Sequence, residues 1–267
     1  MKRCTISISL FLIAMLLQSA SAQTTKPSIL NDVGIDQKLN SQVPADLQFR
    51  DEAGTSVRLG DYFGKRPMIL VLVYFKCPML CTMVLNDLNK VLGVMNMNVG
   101  EQFDILTVSF DPTETPDLAA KKKKAYVFTY ARPHAAEGWH FLTGNQDSIK
   151  ALTDSVGFRY AWDPKFQQFA HASGIMILTP DGKVSRYFYG VEYSATDLQN
   201  ALTDAAGGKI STPAPQVLLY CFRYDPSTGH YSLIVTRAMQ VGALMTMGSI
   251  GAFWMLMYRR GKHGRLA

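Results

Sequence analysis

An α/β sandwich with a C-terminal transmembrane helix is the architecture this sequence predicts, and three observations predict it. Segments of strand character alternate with helix-like patterns across residues 44–206. Two cysteines, Cys77 and Cys81, stand where one apolar run (VLVYFK) breaks at a Cys-Pro and continues as a helical pattern. Residues 238–258 carry no charge and have about the length that crosses a bilayer as a helix. A strand feeding a helix through a cysteine-bearing turn is how thioredoxin-like proteins present thiols, because the helix N-terminus favours a thiolate through its unpaired N–H groups and its dipole. The predicted domain is therefore thioredoxin-like.

Each element has its own local reason. Residues 23–43 read as an extended leader. QFRDEAGTSVRLGDYFGK has the pattern of a β-hairpin turning at Ala53-Gly54, followed by a short turn or helix. Residues 67–75 (PMILVLVYF) are continuously apolar and rich in β-branched residues, which marks a buried strand. Residues 79–92 place Leu85, Leu88 and Leu92 at helical spacing. FDILTVSF is the next buried strand, ended by Asp111-Pro112, and Thr115-Pro116-Asp117 opens a lysine-rich helix. WHFLTG reads as a third strand and NQDSIKALTDSVGF as a helix starting at Asn145 or Asp147. ASGIMILTPDGKVSRYFYG is a strand, a Pro-Asp-Gly turn and a returning strand, and residues 194–206 form a last helix. GGKISTPAPQ (207–216) is a linker by composition, and Asp225-Pro226-Ser227-Thr228-Gly229 has the turn chemistry for a small hairpin. No internal repeat is visible.

The two ends agree on a topology. Residues 1–22 have a basic start (Lys2, Arg3), an apolar stretch and an Ala20-Ser21-Ala22 exit, which reads as a secretory signal peptide that would carry Cys4 away with it. Arg259, Arg260, Lys262 and Arg265 follow the C-terminal apolar segment and keep the tail in the cytoplasm by the positive-inside tendency. The expected plan is a signal peptide at 1–22, a leader at 23–43, the thioredoxin-like domain at 44–206, a linker and hairpin at 207–232, a membrane segment at 233–258 and a basic tail at 259–267, with the domain on the periplasmic side of the cell membrane. The net charge of +6 is confined to Lys2, Arg3 and the four tail cations, so no nucleic-acid partner is implied. The Lys121–Lys124 run reads as a solvated helix face.

Without Cys4, three cysteines remain, Cys77, Cys81 and Cys221. That is too few for a disulfide scaffold and favours redox or metal chemistry. Four residues apart, Cys77 and Cys81 lie on one helical face, where they can clamp a soft cation or form a disulfide. His171 in FQQFAHASGIMIL is the candidate third group, in a loop that a thioredoxin-like topology brings toward the first helix. Two thiolates and an imidazole suit copper in either oxidation state, Cu(I) through sulfur and Cu(II) through nitrogen, whereas zinc normally takes a fourth ligand.

The series YFKCPMLC, VSFDPTETPD and FAHASGIMILTPDGKVSRYFYG resembles the Sco/SenC family over residues 43–206. The resemblance implies a thioredoxin-like fold and one bound copper held by Cys77, Cys81 and His171. It also implies delivery of copper or electrons to the copper-bearing subunit of cytochrome c oxidase at a membrane, with thioredoxin-like reductants and other copper chaperones as partners. Three positions depart from the family pattern: Met79 follows the first Cys-Pro where an acidic residue is usual, Thr82 follows the second cysteine where a proline is usual, and Ala170 precedes His171 where Asp is usual.

Two functional classes follow. One is a copper-binding and transfer module. The other is a thiol–disulfide oxidoreductase in which Cys77 and Cys81 keep oxidase-subunit cysteines reduced and His171 is dispensable. Peroxide removal is a weaker third, since no T-x-x-C pattern leads into Cys77. Cys221 and His230 read as parts of a small strand pair, His134 and His140 as structural, and the methionines of the C-terminal segment as lipid-facing filler. No P-loop or dinucleotide fingerprint is present.

Overall fold

The computed structural model describes residues 32–77, 80–213, 224–225, 230–231 and 233–263. The expected signal peptide with Cys4, Met79 of the cysteine motif, and Cys221 lie outside those residues.

The chain divides into two compact units. The larger holds a five-stranded sheet ordered β10-β9-β4-β5-β6, formed by β4 (Met68–Val73), β5 (Asp104–Ser109), β6 (Trp139–Leu142), β9 (Gly174–Leu178) and β10 (Val184–Tyr189). β4, β5 and β6 run parallel, β9 pairs antiparallel with the other side of β4, and β10 pairs antiparallel with β9. All six residues of β4 are buried because the strand is central and covered on both faces, which is why its sequence is continuously apolar rather than alternating. Parallel neighbours need crossovers, and helices supply them: α1 (Leu80–Val94) leads from β4 to β5, and α2 (Pro116–Tyr130) and the short α3 (Ala135–Gly138) lead from β5 to β6. α4 (Gln146–Ser155) follows β6, and α5 (Ala195–Ala206) packs on β9 and β10.

Caps set several ends. Asn145 accepts from Ser148 N–H (2.8 Å) and Ser194 from Asp197 N–H (3.3 Å), and Pro116 occupies the first turn of α2. Of the two helix starts open in the sequence, Asn145 is the cap. The early hairpin, β2 (Gln48–Arg50) with β3 (Ser56–Arg58), turns through Gly54 at φ +81° and runs into a 3₁₀ turn (Leu59–Tyr62).

The lysine run is not uniformly solvated. Lys123 pairs with Glu52 of the early hairpin, and the other Glu52 oxygen accepts the Phe141 N–H of β6 at 3.2 Å. Burial pushes the Glu52 carboxyl up, but the Lys123 contact and the backbone N–H groups outweigh it and hold the group below its ordinary value. A carboxyl depressed on folding stabilises the protein above its ordinary pKa and ceases to do so as pH falls through the folded value. Glu52→Gln is therefore expected to cost about 1.5–3 kcal/mol at neutral pH. It should also flatten the loss of Tm below about pH 4.5, which a pH series of thermal melts on both proteins reads directly.

The smaller unit is a three-stranded antiparallel sheet ordered β1-β7-β8, from β1 (Gly34–Ile35), β7 (Phe158–Asp163) and β8 (Gln168–His171). The sequence reading placed a loop here; the structure has a hairpin, and His171 is the last residue of its second strand. The signal was present in FRYAWD, whose Phe158, Tyr160 and Trp162 alternate at the strand period. Pro164 and the absence of a glycine turn concealed the partner strand, the turn being made by Gln167 at φ +50°.

Residues 224–225 and 230–231 pair as β11 (Tyr224–Asp225) and β12 (His230–Tyr231), and α6 (Leu233–His263) ends the described chain. The expected membrane span falls within α6, but among the described residues no helix is long and apolar enough to cross a membrane. Gln240, Thr246 and Ser249 with glycines at 242, 248 and 251 dilute the apolar content. The hydroxyls of Thr246 and Ser249 donate back to the carbonyls of Gly242 and Met245 at 2.8 Å each.

Candidate metal centre

The thiols stand at the C-terminal end of β4, where the chain leaves the sheet at Tyr74 and enters α1. Strand ends of parallel α/β sheets are the usual place for such sites, because the loops there are free of the ladder while their bases are fixed. Cys77 and Cys81 are both reduced and buried, 8% and 2% exposed. The Cys81 N–H, in the first turn of α1, points at Cys77 Sγ at 3.3 Å, and the Tyr74 N–H points at Cys81 Sγ at 3.5 Å. Thr82, one of the departures from the family pattern, donates its hydroxyl to the Cys77 carbonyl at 3.3 Å.

The expected stabilisation of a thiolate by the helix N-terminus does not prevail at Cys81. Burial pushes its thiol well up, the adjacent Cys77 sulfur and the charge of Glu114 add to this, and the Tyr74 N–H offsets only part. Two sulfurs buried side by side do not both ionise unless a cation joins them. A soft metal ion would displace the proton and receive both sulfurs as ligands.

His171 pairs across the hairpin with Tyr160, and its ring centroid lies 6.3 Å from that of Phe158. Its Nδ1 is 2.8 Å from the Ala172 carbonyl oxygen. A carbonyl only accepts, so Nδ1 carries the proton and Nε2 presents the lone pair, the tautomer a metal ligand needs. The backbone thus supplies the outer partner that a carboxylate at position 170 would otherwise provide.

Cys77 and Cys81 belong to the larger unit and His171 to the smaller. Two sulfurs and one imidazole nitrogen are a donor set that fits copper. The histidines treated as structural are elsewhere: His140 lies tilted against Tyr62 (centroids 4.5 Å apart), with its pKa lowered by burial, and His134 faces Glu137 on the surface at 2.8 Å. One residue that sequence reasoning did not single out is close to the sulfurs' loop. Glu114, only 6% exposed, accepts the N–H groups of Phe75 and Lys76 at 2.7 Å each and the Ser109 hydroxyl at 2.6 Å. Its signal was an acidic residue in the short polar turn between a buried strand and a Thr-Pro helix start.

A five-stranded sheet of this order with two cysteines at the turn from its central strand into a helix defines a thioredoxin-like protein. Within that class the chain belongs to the SCO1/SenC family, whose model matches residues 35–206. An SCO2-like protein of Rickettsia typhi (strain ATCC VR-144 / Wilmington) is 25% identical over 213 residues, covering 76% of this chain and 96% of that protein. The SCO1 protein homolog of Bacillus subtilis (strain 168) is 27% identical over 168 residues, 61% of this chain and 81% of that one. Among solved structures, one from Aquifex aeolicus VF5 superposes with a TM-score of 0.57 at 27% identity, over 64% of this chain and 95% of its own. Arabidopsis thaliana ScoI, solved with copper bound, superposes at 0.51 over 62% and 99% of the two chains, and at 17% identity it shows the common fold.

Proposed function

We propose that this protein binds one copper ion through Cys77, Cys81 and His171 and passes copper, or the electrons its thiols carry, to the copper-bearing subunit of a respiratory cytochrome c oxidase during assembly. The observation that carries the reading is the pair of buried sulfurs, Cys77 and Cys81, set one helical turn apart, with His171 as the further soft donor. Family membership and the copper held by the Arabidopsis protein of the same fold support it. Bound copper supplies an exchangeable soft cation. The residues' part is to hold it through ligands that a thiolate or imidazole of the receiving protein can replace in turn. The reading places the domain outside the cytoplasmic membrane, on the strength of the export pattern at 1–22. Thioredoxin-like reductants and other copper chaperones would serve it there.

The test is copper stoichiometry after anaerobic loading of the reduced full chain. Wild type is expected to retain one copper, and His171→Ala is expected to lose it against a competing chelator. Retention of one copper at unchanged affinity by His171→Ala would remove the histidine from the site. The two neighbouring thiols favour a second reading, a thiol–disulfide oxidoreductase acting on oxidase-subunit cysteines. That reading moves first if wild type binds no copper while its thiols cycle to a disulfide.

A further inference from the structure

Past Val73 the chain has left the sheet. Cys77 N–H turns back to the Tyr74 carbonyl at 3.2 Å. Phe75 and Lys76 have no such local acceptor, and Phe75 is buried at 3% exposure; a buried N–H without a partner is costly. Both are taken by one side chain 38 and 39 positions away, the two oxygens of Glu114 dividing them between them. The Ser109 hydroxyl is a third donor. Three donors thus converge on the two oxygens of one buried side chain. Glu114 is itself fixed: its N–H donates to the Asp111 carbonyl at 3.2 Å, and Asp111 Oδ1 accepts the Thr113 N–H and hydroxyl at 2.9 and 2.7 Å.

We propose that Glu114 is the positioning residue of the sulfur pair: by clamping the amides of Phe75 and Lys76 to the end of β5, it holds Cys77 facing Cys81 whether or not a cation is present. The inference rests on the copper reading only for one of its two readouts. A site ordered in advance loses less freedom on binding, so the clamp strengthens copper binding without touching copper. It acts through the backbone, which is why neither cysteine nor histidine spacing reveals it.

The test compares the full chain with Glu114→Gln and Ser109→Ala, using amide hydrogen exchange in the reduced metal-free protein and copper affinity by competition with a Cu(I) chelator. Glutamine keeps one acceptor oxygen but turns an NH₂ toward the second amide. Exchange at Phe75 and Lys76 is expected to quicken at least tenfold, with Leu198 of α5 unchanged, and the copper Kd to rise at least tenfold. Ser109→Ala, which removes one donor and leaves both amides held, is expected to change each by less than threefold. Unchanged exchange in Glu114→Gln overturns the clamp, whatever copper does. Faster exchange with unchanged copper affinity overturns its link to the site. Should Glu114→Gln fail to fold, rapid unprotected exchange at Phe75 and Lys76 in the wild type overturns the proposal, and slow exchange there with Ser109→Ala behaving as stated upholds it. Failure of wild type to bind copper counts against the copper reading alone, and the exchange result then decides the role of Glu114.

Discussion

Cys81→Ala is expected to abolish retained copper while leaving the fold almost untouched. Cys81 is buried at 2% exposure and behaves in the metal-free protein as a small apolar side chain, kept protonated by that burial. Truncating it removes one sulfur atom from a packed site, a smaller deletion than the Leu-to-Ala changes that cost about 2–5 kcal/mol. A loss near 1 kcal/mol follows from that comparison. Copper binding loses one of two thiolates, so the fall in affinity is expected to exceed the roughly 10–100-fold typical of losing an outer-shell partner. Cys81→Ser separates the two effects. Its hydroxyl replaces a thiol in a site whose backbone donor, the Tyr74 N–H, lies 3.5 Å from the sulfur, and burying a poorly matched polar group costs about 1–3 kcal/mol. Chelator competition and denaturant unfolding on both variants check this. Wild-type copper affinity in Cys81→Ala would take Cys81 out of the ligand set.

The largest expected effect on stability lies away from the sulfurs, at Trp139. The indole is fully buried, its ring centroid 5.9 Å from Tyr126, 6.3 Å from Tyr130 and 5.8 Å from Phe141, and its Nε1–H donates to Thr107 Oγ1 at 2.9 Å. It joins α2 to β6 and β6 to β5. Trp139→Ala opens a cavity among three aromatic rings and leaves the Thr107 hydroxyl without its donor, an expected loss of about 3–5 kcal/mol. At about 2–4 °C per kcal/mol for a domain of this size, Tm falls by about 6–20 °C. Trp139→Phe keeps much of the packing and loses the hydrogen bond, at about 1–3 kcal/mol. Urea unfolding is the measurement, with the midpoint falling and the slope unchanged. A shift below 1 kcal/mol for alanine would show that this aromatic cluster does not tie the helix to the sheet.

Much of the fold is legible in the chain because its determinants are local. Residues 67–75 announce a central strand by having no polar face, and the structure makes Met68–Val73 the middle of the sheet. The alternation of strand and helix, the caps at Asn145 and Ser194, and the turn at Gly54 are written in neighbouring residues, since period, capping and turn conformation are short-range properties. The thiol pair is legible for the same reason, four residues being one turn of helix. The hairpin β7–β8 is partly legible, its first strand alternating and its turn concealed. α6 is legible as a helix, although its reading as a membrane span is not supported by the apolar content of its described residues.

What the sequence by itself determined, then, is the order of elements and the identity of the soft donors. Tertiary structure decided what surrounds them. The protonation of Cys81 follows from desolvation and from the charge of a residue 33 positions away, and the tautomer of His171 from a backbone carbonyl on a strand end. The support of the cysteine loop comes from Glu114 across the sheet. Each depends on which groups become neighbours once water is excluded, and no residue carries that information in its own local pattern.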